Sequence, residues 1–113
     1  MIPAVSDAPT TLVGIASRGT VGTGVLELLA RQAGALVERY GVRFRVTRIA
    51  VRDRDKRRTP LADGIPRAIT ALDLVADPEV DVIVEVAGGL DVEATVSAAL
   101  AAGKPVVTAN KAL

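Results

Sequence analysis

Neither cysteine nor histidine occurs anywhere in the sequence. Their absence together excludes disulfides, cysteine nucleophiles, imidazole general bases and the usual zinc sites. It also agrees with a cytoplasmic setting. Tryptophan is missing, and the aromatics reduce to Tyr40 and Phe44. With half of the residues apolar, any core must be made of Ala, Val, Leu and Ile, a palette suited to helices layered on a parallel sheet. Charge of one sign is lacking too. Fourteen basic and 13 acidic side chains leave a net charge of +1, so no global field draws the chain to nucleic acid or an anionic membrane. No apolar run approaches the roughly 20 residues that span a bilayer. The opening MIPAVSDAPT has neither a basic stretch nor a long apolar one, so it is not read as a signal peptide. Residues 1–10 are expected to be a disordered tail, and residues 11–113 a single domain.

What is present is an alternation of two periodicities. Thr11 to Ala16 (TLVGIA) is a short apolar run ending at a turn signal, which predicts a buried strand. From Thr20 the period becomes helical. Val21, Val25, Leu28, Leu29, Leu36, Val37 and Tyr40 share one face, Glu27, Arg31, Glu38 and Arg39 lie largely opposite, and Gly41 is the stop. Val42 to Val51 reads as a second strand, half exposed where it begins. The polar RDRDKRRTPLADGIPR stretch reads as loop. A short helix over Leu72 to Ala76 is expected to stop at Asp77-Pro78, since proline disfavours helix in the residue before it. Asp81 to Val86 is a third strand and Val92 to Leu100 a further helix capped by Gly103. Pro105 to Thr108 is a fourth strand. Such alternation requires right-handed parallel crossovers. The fold class is therefore α/β: the first half of a doubly wound, mainly parallel sheet of about four strands, helices on both faces and the first strand central.

Three stretches carry chemistry. S-R-G-T-V-G, from Ser17 to Gly22, follows the first strand and opens a long helix, the context of a dinucleotide fingerprint. Gly19 would admit the pyrophosphate to the backbone. Gly22 would let the helix pack closely, and the N–H groups of Thr20 and Val21 would face the anion. The competing reading is an ordinary strand-to-helix turn that happens to be glycine-rich. At the end of the second strand stands Arg52, where an NAD site commonly has an acid, with Lys56, Arg57 and Arg58 beyond. That cluster favours a 2′-phosphate, hence NADP rather than NAD, against the alternative of a solvated charged loop. Glu85-Val-Ala-Gly-Gly ends the third strand, where open α/β sheets bind ligands, and a tight turn with a capping acid is an equal reading. Lys111, just past the fourth strand, would bring an ammonium to the same crevice, or is simply a surface lysine.

Taken together, GTVGTGV, AVRD, VDVIVEVAGG and AAGKPVVTANKAL resemble, in order and spacing, the N-terminal NAD(P)-binding domain of homoserine dehydrogenase, from about Thr11 to Leu113. The resemblance implies a Rossmann-like fold and NAD(P)-dependent interconversion of L-homoserine and L-aspartate 4-semialdehyde, on the route to threonine, methionine and isoleucine. It further implies a small-molecule substrate and a homo-oligomer in the full-length enzyme. Positions matching the family's cofactor contacts are Gly19, Thr20, Val21 and Gly22 for the pyrophosphate, and Arg52 for the 2′-phosphate. Ala87, Gly88 and Thr108 fall near the nicotinamide. Lys111 matches a family lysine at the junction of cofactor and substrate, with a catalytic role. No metal ligand is assigned.

Two departures accompany the resemblance. Ser17 stands at the first glycine of the fingerprint and Arg18 at a usually apolar neighbour. A backbone needing φ > 0 at Ser17 would be strained by about 1 kcal/mol, while the hydroxyl and guanidinium could instead contact phosphate. The family's substrate domain would lie beyond Leu113, so the domain is expected to be incomplete at its C-terminus and inactive alone. A stand-alone, non-catalytic nucleotide-binding or regulatory module is the alternative, favoured by the altered Ser17-Arg18 turn.

Overall fold

The computed structural model describes residues 9–17, 20–51, 64–68, 70–86 and 92–109. Strand β1 (Thr10–Ser17) leads to helix α1 (Thr20–Tyr40) and strand β2 (Arg43–Val51). A two-residue strand β3 (Arg67–Ala68), helix α2 (Ala71–Ala76) and strand β4 (Val82–Glu85) follow, then helix α3 (Val92–Ala101) and strand β5 (Val106–Thr108). All pairings are parallel, in the order β3-β2-β1-β4-β5, so β1 is central as expected. β3 is an addition to the expected four strands. It falls at Arg67, where the reading from sequence has loop, because two residues after a proline give no periodic signal. Pro66, which has no N–H to donate, sits immediately before it and accepts from Ile49 N at 3.2 Å.

The helices divide between the faces as right-handed crossovers dictate. α1 packs on β1 and β2 from one side, whereas α2 and α3 touch each other and lie on the other. Val13, Ile15, Leu26 and Ile49 fill the α1 side. Ala16, Ala50, Leu74, Val80, Ile83 and Ala99 fill the opposite side, where small residues bring the helices close to the sheet.

Each helix ends for a local reason. Gly41 has φ 68°, and its N–H donates to Val37 O at 2.9 Å, closing α1. α2 opens with a capping box between Thr70 and Asp73 and stops at Asp77-Pro78. α3 ends in a Schellman motif, with Gly103 at φ 76°, Gly103 N on Leu100 O at 3.1 Å and Lys104 N on Ala99 O at 2.8 Å. The apolar stripe of α1 is only partly covered. Leu26 and Val37 are buried, while Leu28 and Tyr40 are exposed. The flank they occupy overhangs β4 and β5, where an open groove of about 470 Å³ is lined by residues including Leu28, Tyr40, Val84 and Val107.

Candidate dinucleotide site

Parallel strands present their C-terminal ends along one edge. Ala16 of β1 is in register with Glu85 of β4, and Glu85 with Thr108 of β5. On the other side of β1, Ser17 is in register with Val51, the last residue of β2. Strand order reverses between β1 and β4, because the chain proceeds from β1 toward one edge and then returns to build the other. Ligands of open α/β sheets bind in the crevice at such a switch point.

α1 begins at Thr20, three positions after the last residue of β1, and runs for 21 residues. Its first turn, which holds Thr20, Val21 and Gly22, contains no acidic residue. The other two helices each place one there, Asp73 in α2 and Glu93 in α3. A carboxylate in the first turn ordinarily complements the positive end of the macrodipole. The longest helix leaves that end without one at the mouth of the switch point. This is the arrangement an anionic pyrophosphate fits.

Ser17 lies in extended strand, and among the described residues no non-glycine has a positive φ. The strain considered for a serine at the first fingerprint position therefore does not arise. Serine is accommodated because the chain is still in the sheet at that point. Gly14 is the β1 glycine with a packing requirement. A Cβ built there would lie 2.9 Å from Val80 Cγ1 and 3.3 Å from Leu74 Cδ2.

Thr108 is exposed at the end of β5, and its hydroxyl donates to Glu85 Oε2 at 3.0 Å. The backbone repeats the link one step on, where Ala109 N donates to Glu85 O at 3.1 Å. Glu85 itself is 1% exposed. It stands on the same face of β4 as Ile83, where an aliphatic residue would be ordinary. The VEVAGG motif drew attention to this strand end, yet Glu85 is absent from the residues expected to bind. Its burial was the missing signal. Arg18, Gly19, Arg52, Ala87, Gly88 and Lys111 lie outside the described residues.

The topology and the site thus define a Rossmann-like dinucleotide-binding domain. A family described as "Homoserine dehydrogenase, NAD binding domain" matches residues 18–113. Homoserine dehydrogenase of Corynebacterium glutamicum is 44% identical over 110 residues, covering 93% of this chain and 24% of that protein. Its counterpart in Pseudomonas aeruginosa is 42% identical over 104 residues, with 89% and 23% covered. Among solved structures, homoserine dehydrogenase of Thiobacillus denitrificans superposes with TM-score 0.80 at 46% identity, covering 90% of this chain and 24% of that one. The S. aureus enzyme gives TM-score 0.82 at 27% identity, with 93% and 27% covered. The chain belongs to the homoserine dehydrogenase NAD-binding domain family, whose cofactor is a nicotinamide dinucleotide. It spans about a quarter of the length of the relatives it matches. No helix among the described residues is long and apolar enough to cross a membrane.

Proposed function

We propose that this chain binds NADP, in preference to NAD, as the cofactor-binding part of a cytoplasmic homoserine dehydrogenase interconverting L-homoserine and L-aspartate 4-semialdehyde. The observation that carries the reading is the acid-free N-terminus of α1 at the switch point between β1 and β4, within a span the family matches from residue 18. In this reading residues 11–113 are the dinucleotide-binding unit, and the substrate domain is supplied by further polypeptide.

The backbone N–H groups of Gly19, Thr20, Val21 and Gly22 hold the pyrophosphate, with Ser17 and Arg18 flanking it. Arg52, which follows the β2 residue in register with Ser17, holds the 2′-phosphate through charge-assisted hydrogen bonds. Ala87, Gly88 and Thr108 border the nicotinamide, and Lys111 brings an ammonium to the junction with substrate. The bound nicotinamide supplies hydride acceptance and donation. The protein's own residues hold and orient it.

The alternative of a non-catalytic module drew on the altered Ser17-Arg18 turn; Ser17 is extended and carries no positive-φ strain, and Arg18 lies outside the described residues. Calorimetric titration with NADP⁺ and NAD⁺ tests the proposal. The wild-type chain should bind NADP⁺ more tightly, and Arg52→Ala should weaken NADP⁺ by about 10–100-fold, as expected for loss of a charged hydrogen-bonded contact. NAD⁺ affinity should change by less than about twofold, since NAD⁺ lacks the phosphate. Unchanged NADP⁺ affinity would remove Arg52 from the site, and absence of binding to either cofactor would remove the function.

A further inference from the structure

Among the described residues, Glu85 is the one ionisable side chain that the fold buries. A carboxylate at 1% exposure is expensive to desolvate, and replacing buried ionic groups with aliphatic ones is commonly neutral or stabilising. The position is one a valine or isoleucine could fill, since Ile83 on the same face of β4 is wholly buried. Apolar packing alone therefore does not call for the acid, whereas its hydrogen bond from Thr108 and its position do. Glu85 is in register with Ala16 and with Thr108, level with the strand ends that form the crevice.

We propose that Glu85 sets the relative affinity of this domain for oxidised and reduced nicotinamide dinucleotide, its buried carboxylate favouring the cationic oxidised ring over the neutral reduced one. The inference rests on the dinucleotide-binding reading above. Two features support it. The two oxidation states differ by one unit of charge at the ring, so a nearby fixed charge discriminates between them while leaving the adenosine and phosphate contacts alone. In addition, the hydroxyl of Thr108 spends its single proton on Glu85 Oε2 at 3.0 Å. The carboxylate is thereby held at the end of β4, and Thr108 can present only acceptor capacity to a ligand. Glu85 acts through its field and through Thr108, so it is a positioning residue and not a catalytic one.

The test is binding of NADP⁺ and NADPH to the chain and to its Glu85→Gln and Thr108→Val variants. At an effective dielectric near 20, unit charges about 10 Å apart shift an equilibrium by about tenfold. Glu85→Gln should accordingly weaken NADP⁺ about tenfold while changing NADPH less than about twofold. For a two-electron couple this lowers the preference by about 30 mV. Thr108→Val, which keeps the charge, should move both forms alike. A ratio within twofold of wild type in Glu85→Gln, with binding intact, overturns the assignment of Glu85 and leaves the proposed function standing. Failure of the wild-type chain to bind either form overturns both. Should Glu85→Gln not fold, the wild-type chain decides the matter with NAD⁺ and its neutral isostere, benzamide adenine dinucleotide. About tenfold tighter binding of NAD⁺ is expected, and equal affinity overturns the proposal.

Discussion

Gly14 and Ser17 stand on the same strand, and different physics governs each. At Gly14 the constraint is space, because the Cβ of any other residue would meet the side chains of Val80 and Leu74 beneath β1. The strand is also irregular there, with a register shift between Val13 and Gly14 against β2. Gly14→Ala should therefore cost about 1–3 kcal/mol, the usual range for overpacking a close-packed core. Urea unfolding would show it as a lower midpoint with unchanged slope. A variant as stable as wild type would mean that Val80 moves aside freely. At Ser17 the constraint is conformational, and an extended serine satisfies it without cost. The fingerprint pattern drew attention to the wrong member of this pair. Close approach to a strand here depends on residues 60 or more positions away, which a local glycine motif cannot display.

At the scale of elements, the alternation of strand and helix was legible because each of the longer segments carries its own period and its own stop. Gly41, Asp77-Pro78 and Gly103 end their helices where local chemistry says they should. Two features were not legible. β3 is too short to have a period. The apolar residues of α1 share one face in the sequence, yet Leu28 and Tyr40 are exposed, since α1 packs on β1 and β2 and that flank overhangs an open groove above β4 and β5. A link between elements also escaped notice. Lys104, in the connection between α3 and β5, donates through Nζ to Asp77 O at 2.7 Å and Leu74 O at 3.3 Å, adding a charged donor to carbonyls at the C-terminal end of α2 that also accept from Val80 N and Asp77 N. Sequence shows the lysine beside a cap glycine but not the helix end it reaches. Lys104→Met keeps the aliphatic stem and removes the ammonium, and should cost about 1–2 kcal/mol in thermal or urea unfolding. No loss of stability would show that the backbone donors already on those carbonyls suffice without the ammonium.

On the scale of the whole molecule, the sheet is covered unequally. α2 and α3 seal one face, whereas α1 leaves the β4–β5 half of the other as an open groove bordered by Leu28 and Val107, which are 53% and 60% exposed. Apolar surface left in water contributes nothing to folding, so a 113-residue chain of this design draws on a smaller core than its composition allows. Ligand binding then becomes a large fraction of its stability. A dinucleotide that binds only the folded state at 100 times its Kd adds about 2.7 kcal/mol. At about 4 °C per kcal/mol for a domain near this size, the melting temperature should rise by about 10 °C. If Arg52 holds a 2′-phosphate, NADP⁺ should produce a larger rise than NAD⁺ at equal concentration, and Arg52→Ala should bring the two together. The crevice needs the parallel register of four strand ends, so the gain belongs to global unfolding. A single calorimetric transition should move as a whole with cofactor concentration. A shift cut to about half in Glu85→Gln for NADP⁺ but kept for NADPH would tie the stability gain to the charge at the end of β4, while a melting temperature indifferent to both cofactors would sink the dinucleotide site itself.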